Sequence, residues 1–145
     1  MNAKPSSYLL VLENRKEQKK RVGCLGTVRF AAGFYVYVGS GGTNVVKRIR
    51  RHMASSKRLR WHIDYLTTGR NRMKSVDARV YPGVPECSLA ARLARELVSI
   101  SRFGASDCAC PTHLFLAATR SALASAIARL SRCGVRGIAL QALPG

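Results

Sequence analysis

Four polar residues of this chain are of kinds that can take part in phosphate chemistry. Arg48 and His52 lie four positions apart, a spacing that puts them on one face of a helix, and Tyr37 lies in an alternating stretch shortly before them. Glu86 is one of only seven acidic residues. An arginine binds phosphoryl oxygens, a tyrosine or histidine can accept a proton, and a lone carboxylate can hold Mg²⁺. These four residues are the first candidates for a reactive site.

Glu86 has two open interpretations. A helical wheel over residues 85–98 places it in the middle of an apolar stripe, where an unpaired carboxylate would cost roughly several kcal/mol. Either it pairs with an arginine or the helix dipole, or it binds Mg²⁺ (or Mn²⁺) together with water and phosphate oxygens. The other acids are expected to be surface charges or hydrogen-bond partners: Glu13, Glu17, Asp64, Asp77, Glu96 and Asp107.

The composition indicates a polyanionic partner. Among 145 residues, 25 lysines and arginines face 7 acids, which gives a formal net charge of +18. Each cation placed on a phosphate releases condensed counterions, so nucleic acid is the first expectation and an anionic membrane the second. The length and the hydrophobic fraction of 47% predict one domain, residues 1–145, with a buried core.

A glycine-rich turn and the basic residues after it form the expected nucleic-acid contact. In Gly39-Ser40-Gly41-Gly42 the glycines let the backbone bend sharply and let a bulky charged ligand come close. The helix and loop that follow are rich in cations. The residues expected to contact nucleic acid are Ser40, Lys47, Arg50, Arg51, Lys57, Arg58 and Arg60.

Hydropathy and cysteine usage bear on the cellular context. No uninterrupted run of about 18 apolar residues exists, so we expect a soluble cytoplasmic protein with no membrane span. The five cysteines are odd in number, which favours reduced thiols.

Cys108 and Cys110 with His113, and with Cys87 as a further candidate, could bind zinc. The one-residue gap between Cys108 and Cys110 is tighter than the usual zinc spacing and favours ordinary loop packing.

Alternating and helical patterns predict the elements that position these residues. A turn is expected over residues 14–21, and Asn44, Ser121 and Gly134 are expected to cap helices. The first basic helix has an apolar stripe with Arg48 and His52 at its edge, formed by Val45, Val46, Ile49 and Met53. Strands are predicted over residues 7–13, 22–30 (beside the first), 34–38, 76–81, 113–118 and 135–140, and helices over residues 45–53, 61–66, 85–98 and 122–133.

The stretch around the basic helix resembles a known nuclease motif. Tyr37-Val38-Gly39, Asn44-Val45, Arg48 and His52 are similar to the second motif of the GIY-YIG nuclease superfamily. Residues 86–90 fall where that family carries its metal-binding glutamate on a later helix. Residues 61–66 and 103–115 look like signatures of a small, largely uncharacterised branch of the superfamily, found alone or fused to DNA-repair glycosylases.

The first motif of that family is less direct in this chain. Gly33-Phe34-Tyr35 imitates it, but only one residue separates it from Tyr37, whereas the family places its two motifs on neighbouring strands. The resemblance therefore implies that Ser6-Ser7-Tyr8 is the first motif, with Tyr8 on a strand beside Tyr37. Tyr35 remains a rival for that role.

The resemblance implies an α+β fold and an enzymatic activity. The fold would be a small, mainly antiparallel central sheet flanked by helices, with an added C-terminal helix and strand. The activity would be metal-dependent hydrolysis of DNA, with one Mg²⁺ (or Mn²⁺) on Glu86 and Arg48 on the phosphoryl group. The water would lose its proton to Tyr8 or Tyr37, with His52 as a competing base.

Two other functions stay open, namely a non-catalytic DNA-binding module that serves a repair partner, and an RNA-directed protein. The nuclease hypothesis makes a geometric prediction. Its five catalytic candidates should converge on one basic concave surface, and a Glu86 sealed in the core would contradict it.

Overall fold

The protein forms a layered α+β domain. The computed structural model describes residues 6–42, 44–104, 110–132, 134–135 and 137–139. Its strands are β1 (Ser6–Asn14), β2 (Gln18–Arg21), β3 (Thr27–Phe30), β4 (Gly33–Gly42), β5 (Lys74–Pro82), β6 (Val98–Ser99), β7 (Leu114–Ala117) and β8 (Ile138–Ala139). Its helices are α1 (Val45–Met53), α2 (Asp64–Thr67), α3 (Glu86–Leu93) and α4 (Arg120–Arg132).

Six of the strands form one antiparallel sheet in the order β6-β7-β4-β1-β5-β8. The long strands β1 and β4 lie at its centre, and Leu10 stands opposite Tyr37 in their register. Helices flank the sheet, and α4 and β8 follow as a C-terminal addition. The predicted fold class is therefore confirmed.

Strand alternation divides the core into two layers. Tyr8, Tyr35 and Tyr37 pack on the face that is covered by α1 and α2, together with Ile49 of α1. The other face packs against α3 and α4, and its buried residues include Leu9, Val11, Phe34, Val36, Val38, Tyr81, Leu89, Ala90, Leu93, Phe115, Ala117, Ala126 and Leu130. The prediction that the tyrosines of β4 share one face is confirmed, because successive strand residues point to opposite sides of a sheet.

The region between β1 and β4 differs from its prediction. Residues 14–21 do not form a simple turn, since β2 lies within them, and residues 22–30 do not return beside β1. Instead β3 pairs with β2 in a separate two-stranded sheet. Both edges of β1 are taken by β4 and β5, so no edge is left for a third partner. Gly23 and Gly26 adopt positive φ around a short 3-10 turn, which interrupts the expected strand.

Two helices differ clearly from their predicted bounds. One is shorter than predicted and the other begins later in the chain. Helix α3 ends at Leu93 rather than near residue 98, because the chain turns there and Val98–Ser99 pairs with β7 as β6. Helix α2 covers Asp64–Thr67 rather than residues 61–66. The last predicted strand is reduced to Ile138–Ala139, and residue 140 lies outside the described residues.

The caps and the stripe of α1 also need correction. Asn44 precedes α1 without a side-chain capping bond, and Thr119 rather than Ser121 caps α4, since its hydroxyl accepts a bond from the Ala122 N–H. The buried face of α1 is rotated relative to the predicted apolar stripe. His52 is buried with Val45 and Ile49, whereas Met53 is 49% exposed. Gly134 follows α4 at φ +83°, as predicted for a helix stop.

Within the part of the chain that the structure describes, no helix is long and apolar enough to cross a membrane.

Candidate active site

A concave pocket of about 180 Å³ lies where β1 begins and β4 ends. Four of the five predicted catalytic residues line it, and the fifth, His52, lies directly behind Tyr8 and bonds to it. Four of the five side chains therefore share one concave surface, and His52 reaches it only through Tyr8. The residues that line the pocket are Tyr8, Tyr37, Gly39, Ser40, Arg48, Arg60, Trp61, His62, Glu86, Gly104 and His113.

The register of β1 and β4 brings Tyr8 and Tyr37 together. Tyr8 stands opposite Gly39, two residues beyond Tyr37, so the tyrosines are diagonal neighbours with ring centroids 6.3 Å apart. Tyr35 is fully buried farther along the strand, and its hydroxyl donates to the Ala31 carbonyl at 2.7 Å. The geometry places Tyr8, and not its rival Tyr35, at the pocket.

Gly39 makes room for the Tyr8 ring. A β-carbon built on Gly39 would collide with the ring and hydroxyl of Tyr8. The glycine-rich turn therefore serves the packing of the site as well as the bend of the chain, because only a residue without a side chain allows this approach.

Substitution of Gly39 by alanine should disrupt the site more than the fold. The new methyl group should displace the Tyr8 ring and lengthen its bond to His52, so we expect any reaction that depends on this bond to slow by about a hundredfold. The stability cost of such overpacking is about 1–3 kcal/mol, which chemical denaturation measures. Gly69→Ala is the control for destabilisation away from the site, since nothing lies near its β-carbon but its φ of +86° strains a residue with a side chain. Wild-type activity of the pocket in Gly39→Ala would contradict this role.

A buried hydrogen bond connects Tyr8 to His52. The Tyr8 hydroxyl lies 2.6 Å from His52 Nε2, and both side chains are almost fully buried. Burial and the nearby Lys57 cation lower the pKa of His52 to about 4, so its ring is neutral at pH 7 and can accept a proton. Burial raises the pKa of Tyr8 and of Tyr37 well above the usual value, so both remain phenols. Of the three candidate bases, His52 alone is deprotonated at neutral pH.

The lowered pKa of His52 predicts a pH-dependent stability. An unfolded histidine has a pKa of about 6.5, so between pH 6.5 and pH 4 the unfolded chain binds more protons than the folded one. The contribution is complete above pH 6.5 and is lost as the pH falls towards 4. Wild type should therefore lose about 3 kcal/mol more free energy of unfolding than His52→Gln over this range. Parallel losses in denaturant titrations of the two proteins would contradict the assignment. His62, whose pKa burial also lowers, contributes the same pH dependence to both proteins, so its contribution cancels in the comparison.

Arg48 stands at the rim of the pocket with a fixed orientation. Its Nη1 donates to the Ser40 carbonyl at 2.6 Å, and its guanidinium carbon lies 5.2 Å from the centroid of the Trp61 ring. A carbonyl bond and a cation–π contact hold the side chain while other N–H groups remain to bind an anion. The arginine is thus prepositioned at a solvent-accessible surface.

Glu86 lies on the pocket wall rather than in the core. It is the first residue of α3, and its side chain is 31% exposed, with Oε2 at 3.5 Å from His113 Nδ1. The expectation of a carboxylate inside the apolar stripe was wrong, because the stripe that packs on the sheet starts one turn later at Leu89 and Ala90. Glu86 is the single acid among the described residues that line the pocket.

The donor set around Glu86 fits a magnesium ion. Mg²⁺ commonly takes one or two carboxylates and completes its shell with water and phosphate oxygens. Glu86 offers one carboxylate at the wall of an accessible pocket, where room remains for such oxygens. No second acid of the protein is required for this mode of binding.

The predicted nucleic-acid contacts divide into two groups. Arg51 binds the buried Asp64 through two hydrogen bonds of 2.8 and 3.0 Å, and Lys57 donates to the His52 carbonyl and the Thr67 hydroxyl. These two cations hold α1 to the following segment, and Asp64 is the structural partner that we expected. Ser40 and Arg60 line the pocket, and Lys47, Arg50 and Arg58 are exposed.

A second and larger groove lies on the other side of His52. It has a volume of about 700 Å³, and the cations along it are Arg15, Lys16, Arg70, Arg72 and Lys74. The sequence patterns predict neither this groove nor a place for His62 and Gly104 in the pocket. Basic residues on both sides of Trp61 were the available signal, but only the fold shows which of them face a common surface.

The predicted zinc loop is described only in part. Cys108 and Asp107 lie outside the described residues. Cys110 and His113 approach Cys87 of α3, a neighbour that their spacing in the sequence does not reveal.

Comparison with known proteins identifies the family but no individual relative. No curated protein and no solved structure matches the chain. The family model described as a domain of unknown function, DUF123, matches residues 7–134, which include all five site residues and most of the chain. The protein therefore belongs to the DUF123 family.

Proposed function

We propose that the protein is a GIY-YIG-type endonuclease that hydrolyses phosphodiester bonds in DNA with the help of a divalent metal. The observation that carries this proposal is the arrangement of Tyr8, Tyr37, Arg48 and Glu86 around one pocket, with His52 bonded behind Tyr8. The family match over residues 7–134 is compatible with this proposal but names no activity.

Glu86 is the residue that would hold Mg²⁺ or Mn²⁺. When bound, such an ion supplies Lewis-acid polarisation of a phosphoryl oxygen. The negative charge of Glu86 offsets the cations around the pocket, where Arg48 and Arg60 would otherwise leave the metal position strongly positive.

Arg48 binds the phosphoryl group and stabilises the charge that develops on its oxygens. Its guanidinium is always ionised and is held at the rim by Ser40 and Trp61, so little reorganisation is needed when the substrate arrives. This prepositioned cation is the main electrostatic contribution from the protein itself.

Tyr8 and His52 form a route for the proton of the attacking water. Tyr8 accepts that proton as its own hydroxyl proton passes to His52 Nε2, 2.6 Å away. His52 is neutral at pH 7, so its Nε2 can accept this proton, and its lowered pKa makes it a weak base that returns the proton readily, whereas a free phenolate is disfavoured by burial. Tyr37 is the competing acceptor beside Tyr8.

The charge of the protein supports DNA as the substrate. The net charge is +18, and cations border both the pocket and the larger groove behind His52. A bound nucleic acid strand would release counterions along this surface. A cytoplasmic location and a partner in DNA repair stay predictions.

A panel of nucleic acids separates this proposal from its alternatives. The protein is incubated with supercoiled, branched and single-stranded DNA and with matched RNA, with Mg²⁺ or EDTA. We expect cleavage of at least one DNA substrate with Mg²⁺ alone. Binding without cleavage on every substrate would indicate a DNA-binding module, and cleavage restricted to RNA would exclude DNA as the substrate.

A further inference from the structure

Three side chains next to the pocket form a cluster that the proposed mechanism does not use. The ligand atoms of Cys87, Cys110 and His113 all lie within 4.8 Å of one another. Cys87 comes from the first turn of α3, whereas the other two precede β7. The fold therefore brings together two sulfur donors and one nitrogen donor from distant parts of the chain.

The backbone fixes two of these three residues. The His113 N–H donates to the Phe103 carbonyl at 2.8 Å, and its own carbonyl accepts a bond from the Val38 N–H at 2.9 Å. Its side chain is buried, 3% exposed, although it is polar. Cys87 belongs to a regular helix that packs on the sheet through Leu89. Such support from rigid elements is what a preorganised ligand site requires.

The donors match zinc in kind and in spacing. Zinc binds cysteine sulfur at about 2.3 Å and histidine nitrogen at about 2.0 Å in a tetrahedron, so its ligand atoms lie roughly 3.5–3.8 Å apart. Donors within 4.8 Å of one another reach that spacing through small side-chain rotations. Two thiolates and an imidazole are soft ligands that favour zinc over Mg²⁺, which prefers oxygen.

We propose that Cys87, Cys110 and His113 bind one zinc ion, with water in the fourth position. The ion ties the start of α3 to the segment before β7. Because Glu86 precedes Cys87 and lies 3.5 Å from the His113 ring, the same ion fixes the wall of the pocket that carries the carboxylate. The zinc site does not depend on the proposed nuclease activity, since the two sites use different donors.

The test measures metal binding directly. Purified protein is stripped with a chelator, and zinc or cobalt is then added. We expect about one zinc per chain, a higher melting temperature with zinc, and a cobalt complex whose spectrum contains thiolate-to-metal charge transfer. A cobalt spectrum of oxygen and nitrogen ligands only, or no zinc uptake by folded wild type, would overturn the proposal.

Single substitutions assign the ligands. Cys87→Ser and Cys110→Ser should each weaken zinc binding by at least about a hundredfold in a chelator competition. Cys24→Ser is the matched control, because Cys24 is an exposed cysteine whose sulfur lies 3.9 Å from His62 outside the cluster. Cys87→Ser leaves the Cys108-Ala109-Cys110 segment intact, so wild-type zinc affinity in this variant would overturn the site and locate the metal in that segment. The wild-type cobalt spectrum decides the proposal even if a variant fails to fold.

Discussion

Glu86→Gln is expected to lower the rate of DNA cleavage by roughly a thousandfold, which corresponds to about 4 kcal/mol of transition-state stabilisation. The amide keeps the size of the side chain but removes the charge that would hold Mg²⁺. Glu86 lies on the pocket wall with its side chain 31% exposed, so the free energy of unfolding should change by less than about 1 kcal/mol. Single-turnover cleavage with saturating Mg²⁺ gives the rate, and denaturant titration gives the stability.

The matched control for this prediction is Glu96→Gln. Glu96 carries the same side chain, but it pairs with Arg129 at 3.0 Å and does not line the pocket. Its substitution should leave the cleavage rate within about twofold of wild type. Equal losses in the two variants, or full activity in Glu86→Gln, would exclude Glu86 as the metal ligand.

Arg48→Lys should lower the cleavage rate by about a hundredfold to a thousandfold although it keeps the positive charge. Lysine lacks the planar fork that contacts several phosphoryl oxygens, and its three N–H donors radiate from one atom, so a bond to the Ser40 carbonyl leaves no parallel pair of donors for the phosphoryl group. The loss should appear in the single-turnover rate at saturating DNA, because the fork acts on the charge that develops during the reaction.

Arg50→Lys serves as the comparison for Arg48. Arg50 is an exposed cation on the same helix and does not line the pocket. Its conservative substitution should leave the rate unchanged and alter DNA affinity only slightly. If Arg48→Lys weakened DNA binding but left the rate at saturation intact, Arg48 would be a binding residue and not part of the reactive site.

Local patterns predicted those parts of the site that depend on one element. The alternation in β4 predicts the common face of Tyr35 and Tyr37, and the basic helix predicts that Arg48 lies near Tyr37. The choice of Tyr8 over Tyr35 depended on the register between β1 and β4, which the structure supplies through the pairing of Tyr8 with Gly39. A single strand carries no information on its register with a neighbour.

Errors arose where long-range packing decides the environment of a side chain. The wheel put His52 at the edge of α1 and Met53 in the stripe, whereas the bond to Tyr8 draws His52 inside and leaves Met53 exposed. Likewise the basic sequence predicts that Arg51 contacts nucleic acid, whereas in the fold its guanidinium binds the buried Asp64. Helical periodicity gives a direction, but a buried polar partner from another element can rotate the preferred face.

The central claim is that this pocket cuts DNA, and plasmid nicking tests it most directly. Wild type and Glu86→Gln, purified in parallel, are incubated with supercoiled plasmid in Mg²⁺ or EDTA while DNA binding is measured in the same buffers. We predict nicked and linear DNA with wild type in Mg²⁺ only, and comparable binding by both proteins. An intact plasmid despite saturating binding, or equal nicking by both proteins, would contradict the claim.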